Sequence, residues 1–130
     1  MTDTVQVTTV YESPKWLIIN ATNYSDGTGE SDVVKADISA HTGPDGSTAE
    51  SFAVYEIVYA VKGGSVLIEF DATTDDEIHL CSGNGYISYE EVGGLQDPQS
   101  TGTTGDILFT TNDFVAGSTY NITLKLKKKD

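Results

Sequence analysis

The dominant rhythm along the chain is a period of two. In 119-TYNITLKLK-127, Tyr120, Ile122, Leu124 and Leu126 alternate with Asn121, Thr123, Lys125 and Lys127. In 4-TVQVTTVY-11, Val5 and Val7 alternate with Gln6 and Thr8. Successive side chains of a strand point to opposite faces, so such runs predict strands with one buried face. Further β-rich runs lie at 16-WLIINAT-22, 33-VVKADIS-39, 53-AVYEIVYAV-61, 65-SVLIEFD-71, 86-YISYEE-91 and 106-DILFTT-111. Turn chemistry separates them at 25-SDGTGES-31, 43-GPDGS-47, Gly63-Gly64, 82-SGNG-85 and Ala116-Gly117-Ser118. Gly63-Gly64 between two β-rich runs predicts a hairpin, and Asn84-Gly85 a second turn. The best helical rival, 49-AESFAVYEIVYAV-61, is too rich in β-branched and aromatic residues to compete.

About eight short strands with regular turns imply an all-β fold, an antiparallel two-sheet β-sandwich of jelly-roll-like kind. At 130 residues the chain is expected to form one domain, 1-130. Residues 1-14 serve either as its first strand or as an N-terminal arm that adds to a partner's sheet edge, and 127-130 form a basic tail. Two connections exceed what a hairpin needs, 40-AHTGPDGSTAES-51 and 92-VGGLQDPQSTGTTG-105. Loops of that length often carry contacts, and Leu95, Gln96 and Asp97 are candidates on the second.

Charge narrows the partners. The net charge is −13, and all seven cations are lysines, four of them within the last six residues. Phosphate backbones and anionic bilayers are bound by dense basic surfaces, so no nucleic acid and no membrane are expected as partners of the body. The tail residues Lys125, Lys127, Lys128 and Lys129 either touch DNA or an acidic partner, or blunt the edge of the last strand. No basic start precedes an apolar run, and no segment reaches the roughly 18 apolar residues of a membrane span, so neither an export signal nor an anchor is expected. The three sequons, at Asn20, Asn23 and Asn121, read as chance in a chain rich in Thr and Asn.

The acidic segment 71-DATTDDEIHLC-81 invites a reading as a metal or catalytic site. Asp71, Asp75, Asp76 and Glu77 lack the spacing and the glycine of a calcium loop, and 23-NYSDGTGESD-32 fits only slightly better through Asn23, Asp26, Glu30 and Asp32. His79 and Cys81 share a strand face, but with His41 they are the only His and Cys residues, one short of a structural zinc set. Adjacent acids such as Asp75/Asp76 or Glu90/Glu91 point to opposite strand faces and make no facing pair by themselves. The expectation is a solvated acidic turn, a buried cysteine, and no catalytic, cofactor or metal residue; the chain does not read as an enzyme.

The second half, through 67-LIEFDATTDD-76, 82-SGNGYISYEEVGGLQDPQSTGTTGDILFTT-111 and 117-GSTYNITLKLKKK-129, resembles small β-rich virion structural proteins of tailed bacteriophages, of marine and cyanobacterial type. The first half resembles them more loosely, through 16-WLIINATNYSDGTGESDVVKADIS-39. The resemblance implies a capsid decoration (cement) protein on the outer surface of the virion, made in the host cytoplasm. It further implies the major capsid protein as partner and a homo-oligomer, trimer or dimer, at capsid symmetry sites. A tail or fibre component and a carbohydrate-binding module are the alternatives. The residue reading adds Val5, Val7 and the lysines of the tail as contact candidates.

Overall fold

The computed structural model describes residues 3–129; Met1, Thr2 and Asp130, the outermost positions of the two terminal segments considered above, lie outside them. The fold is all-β and antiparallel throughout, in the order β1 (Thr4–Glu12), β2 (Trp16–Asp26), β3 (Val33–Ala36), β4 (Ser51–Phe70), β5 (Asp76–Ser88), β6 (Leu95–Gln96), β7 (Ile107–Asn112) and β8 (Ala116–Lys129). Short 3-10 turns at Ile38–Ala40 and Glu90–Val92 interrupt the connections. The array runs β1-β2-β8-β4-β7-β3, with β5 and β6 also paired to β4. No helix among the described residues is long and apolar enough to cross a membrane.

β4 organises this jelly-roll-like sandwich. Its first part pairs with β8 as far as Lys62↔Thr119, and its last part pairs with β7 from Ser65↔Asn112 onward. One long strand therefore belongs to both layers, and the two sheets expected from the sequence are one sheet folded over. Core residues come from both parts: Leu17, Ile57 and Leu124 from the first layer, Ile68, Phe70 and Phe109 from the second. The Phe109 and Tyr120 rings, from β7 and β8, meet edge to face with centroids 5.6 Å apart.

This geometry corrects two sequence expectations. Gly63-Gly64 is no hairpin; it is the corner within β4, where the register against β5 slips between Val61 and Ser65. Gly63 has φ +87, and a Cβ on Gly64 would stand 2.4 Å from the Asn112 carbonyl oxygen and 2.6 Å from the Phe114 ring. The pair permits close approach across the fold, a use of glycine that sequence cannot tell from a turn. Asn84-Gly85 likewise lies inside β5, where Gly85 faces the Tyr59 ring. Runs 53–61 and 65–71 are thus one strand, and 86–88 continues the strand that begins at Asp76.

Polar groups finish the apolar core at two places. The buried face of β2 runs Leu17, Ile19, Ala21 and then Asn23 and Ser25. Beyond the last of these apolar residues Glu30 accepts from Asn23 Nδ2 at 2.9 Å, from the Tyr120 hydroxyl at 2.5 Å and from the Lys35 ammonium. Lys128, on the core side of β8, donates to Glu12 at 2.7 Å and to the Ser13 and Thr42 carbonyls at 2.8 and 3.0 Å. Glu12 also meets His41 at 2.8 Å.

Candidate metal centre

Glu69 is the next-to-last residue of β4. Its neighbours Ile68 and Phe70 fill the core, so strand alternation turns Glu69 to the other face. There it lies opposite Leu108 of β7 and Glu77 of β5, and it is nevertheless buried, 9% exposed. Asp75 closes the turn between β4 and β5, its Oδ1 accepting from the Ala72 amide at 3.1 Å. Asp32 immediately precedes β3 with φ +50, a left-handed conformation that aspartate tolerates better than most residues. Its amide donates to Thr110 Oγ1 at 2.9 Å, and the Thr110 hydroxyl donates to Asp32 Oδ1 at 3.1 Å. These three elements bring one carboxylate oxygen each from Asp32, Glu69 and Asp75 within 4.8 Å of one another.

Burial and neighbouring like charges disturb the ionisation of Glu69 and Asp75. Burial, and then the charges of Asp75, Asp32 and Glu77, raise the Glu69 carboxyl above its ordinary range. Burial also raises Asp75, against the Ala72 amide; the charges of Asp32 and Asp71 and a hydrogen bond shared with Asp32 push it the same way. The set is chemically uniform, all carboxylate oxygen. Hard cations such as calcium, magnesium and manganese favour such ligands, whereas imidazole and thiolate suit zinc, copper and iron.

The histidines and the cysteine take no part. His41 is bound to Glu12, and His79 Nε2 lies 3.5 Å from the Tyr59 hydroxyl. Cys81 is fully buried, and burial pushes its thiol up to about 12, which leaves no thiolate for nucleophilic work. The segment 23–32, weighed above as a calcium loop, divides in two. Asn23 and Glu30 join the Lys35 network, where an ammonium already supplies the positive charge, and Asp32 alone turns toward the triad. Asp75, expected as a solvated turn acid, is a triad member. Glu69 escaped notice; its only sequence signal is an acid between two core residues at the end of an apolar strand.

The other residues singled out from the sequence are dispersed. Val5 and Val7 lie on β1, an edge strand paired to β2, at 37% and 41% exposure. Lys128 is buried in its contact with Glu12, while Lys125, Lys127 and Lys129 lie half-buried on the opposite face of β8, Lys125 over the Trp16 ring at 5.0 Å. Leu95 packs against the core, Gln96 accepts from the Lys129 ammonium, and Asp97 is buried.

No protein-family model matches the sequence, and no curated protein matches it. Among solved structures the chain is similar to a cupin-superfamily protein from Desulfitobacterium hafniense, at 14% identity and a TM-score of 0.38, over 100% of this chain and 82% of that one. The phage resemblance, and with it the capsid-decoration role and the tail-fibre or carbohydrate-binding alternatives, is corrected here. That assignment depended on a chain without ligand chemistry. Asp32, Glu69 and Asp75 supply such chemistry: their carboxylate oxygens are grouped so that they could hold a metal ion. The expectation that the chain is no enzyme falls with it, since a carboxylate triad able to hold a metal is also able to serve catalysis.

Proposed function

We propose that this domain binds a hard divalent cation at Asp32, Glu69 and Asp75, and that the ion is its functional centre. The observation that carries the proposal is the convergence of three carboxylate oxygens within 4.8 Å, from three separate elements, one of them a buried glutamate. A cation there replaces mutual repulsion by attraction. Three carboxylates fill only part of the six to eight positions such ions take, leaving room for water or an oxygen-bearing ligand. A polar cleft of about 470 Å³ adjoins the site, lined among others by Ser31, Thr110 and Thr111. Thr110 belongs to both, since its hydroxyl holds Asp32. The domain then works as a metal-dependent binder, or a metal-assisted catalyst, for a small polar ligand placed in that cleft.

Calorimetric titration of chelator-treated protein with calcium, magnesium and manganese tests this reading. Wild type should bind at least one of them, and Glu69→Gln should lose that site while keeping its fold by circular dichroism. Identical isotherms for the two proteins would end the proposal.

A further inference from the structure

Among the described residues three strands pair on one side only: β1 with β2, β3 with β7 and β5 with β4. An open strand edge is a template for pairing with another chain, and folded proteins guard it with short length, charge or broken register. β3 is four residues long, and β5 carries Asp76 and Glu77 and slips register twice against β4. β1 has neither defence. It runs from Thr4 to Thr9 in unbroken register, and no side chain in that run is charged. Val5, Val7 and Thr9 lie opposite Asn23, Ala21 and Ile19, which are buried, so they point to the core side of the sheet. Even so, no residue of β1 joins the core, and every one of its side chains is exposed.

This open edge is held firmly at both ends. The Asp3 carboxylate accepts from Ser25 Oγ and Asn23 Nδ2 at 2.9 Å and from the Gly29 amide at 3.1 Å. Glu12, the first acid beyond the uncharged run, is tied to Lys128 and His41. A strand fixed in this way loses little freedom when another strand docks on it.

We propose that β1 is the interface of a homodimer, in which the β1 strands of two copies pair antiparallel about a two-fold axis and join their sheets. The run 4-TVQVTT-9 is complementary to itself. In a pairing centred on Gln6, Val5 meets Val7 of the second copy on the core side, and Thr4 meets Thr8 on the other face. The valines left open in one copy are then covered by those of the other. Charge selects the same occupant. Two bodies of net charge −13 approach at least cost along an uncharged rim, and the run offers a charged partner nothing to bind. The inference stands apart from the triad, to which β1 contributes no residue.

Sedimentation of the intact chain from about 1 μM to about 1 mM tests the interface. Wild type should pass from monomer to a closed dimer, and raising salt from about 50 to 500 mM should tighten it by screening the like-charged bodies. Hydrogen exchange across 4–9 should slow as the dimer forms. Val5→Lys and Val7→Lys should stay monomeric with an unchanged melting profile when dilute, although each lowers the net negative charge. Val92→Lys, at an exposed valine away from β1, should dimerise like wild type. A wild type that remains monomeric throughout, or a dimer that survives both β1 variants, overturns the proposal. Open-ended growth, or association that weakens with salt, points to a charge-driven contact between unlike surfaces and overturns it as well.

Discussion

The Glu30 cluster and the Glu69 cluster are both buried acids, and the fold treats them in opposite ways. Glu30 receives an ammonium, a phenol and an amide, from Lys35, Tyr120 and Asn23. Beside it, Asp3 is opposed by burial, but hydrogen bonds from Asn23, Ser25 and the Gly29 and Asp26 amides outweigh that and hold it below the ordinary range. Glu69 has only acids for electrostatic company, and it is driven the other way. A buried carboxylate surrounded by donors is a finished piece of structure. One surrounded by carboxylates is stable only as an acid or as a metal ligand, and that difference separates scaffold from site.

Removing the donor at the satisfied cluster should produce the largest effect. Lys35→Met leaves Glu30 buried without its cation, and chemical denaturation should show a loss of about 3–5 kcal/mol. Lys128→Met strands the Ser13 and Thr42 carbonyls and leaves Glu12 with His41, which should cost about 2–4 kcal/mol in the same measurement. At the crowded cluster the sign reverses: without divalent cations, Glu69→Gln should stabilise the protein, by about 1 kcal/mol. Added cation should then raise the melting temperature of wild type more than that of the variant, because only wild type keeps the full triad.

The smallest effect, and the sharpest test of the contrast, is the pH profile of the cation-free protein. Glu69, Asp75, Asp97 and Asp106 have folded-state pKa values above their unfolded ones. Their contribution is present in full below the unfolded values, near pH 4, and is lost as pH rises through the raised ones, so stability should climb on moderate acidification from neutral. Asp3, Glu12 and Asp37 are lowered, Glu12 chiefly by Lys128 and then His41, Asp37 chiefly by Ser39. Their contribution is present above the unfolded values and disappears as pH falls through the depressed ones. Thermal melts across pH 3–8 should peak on the mildly acidic side, and a saturating divalent cation should move the optimum toward neutral. A profile that falls steadily from pH 7 downward, with or without cation, would remove the distinction between the clusters.

How much of this was legible beforehand differs by level. β2 and β8 were readable because their alternation is strict: Leu17, Ile19 and Ala21, and Ile122, Leu124 and Leu126, point to one core. The corner of β4 was not, because Gly63-Gly64 satisfies a hairpin and a close crossing equally well, and only the Asn112 carbonyl and the Phe114 ring decide between them. The acids of 71–76 were visible as a cluster, but neighbours along a strand diverge. The partners that give Asp75 meaning lie at Asp32 and Glu69, the one far along the chain and the other screened by core residues.

The sequence by itself determined an all-β antiparallel fold of about eight strands, a strongly acidic body and a lone cysteine with no intrachain partner for a disulfide, because periodicity, charge and residue count are local or additive properties. Tertiary structure decided which acids are paired and which are crowded. Electrostatic meaning depends on distances of a few ångströms between residues dozens of positions apart. Those distances exist only once β4 has turned its corner and brought the β4–β5 turn beside Asp32 and the loop after β6.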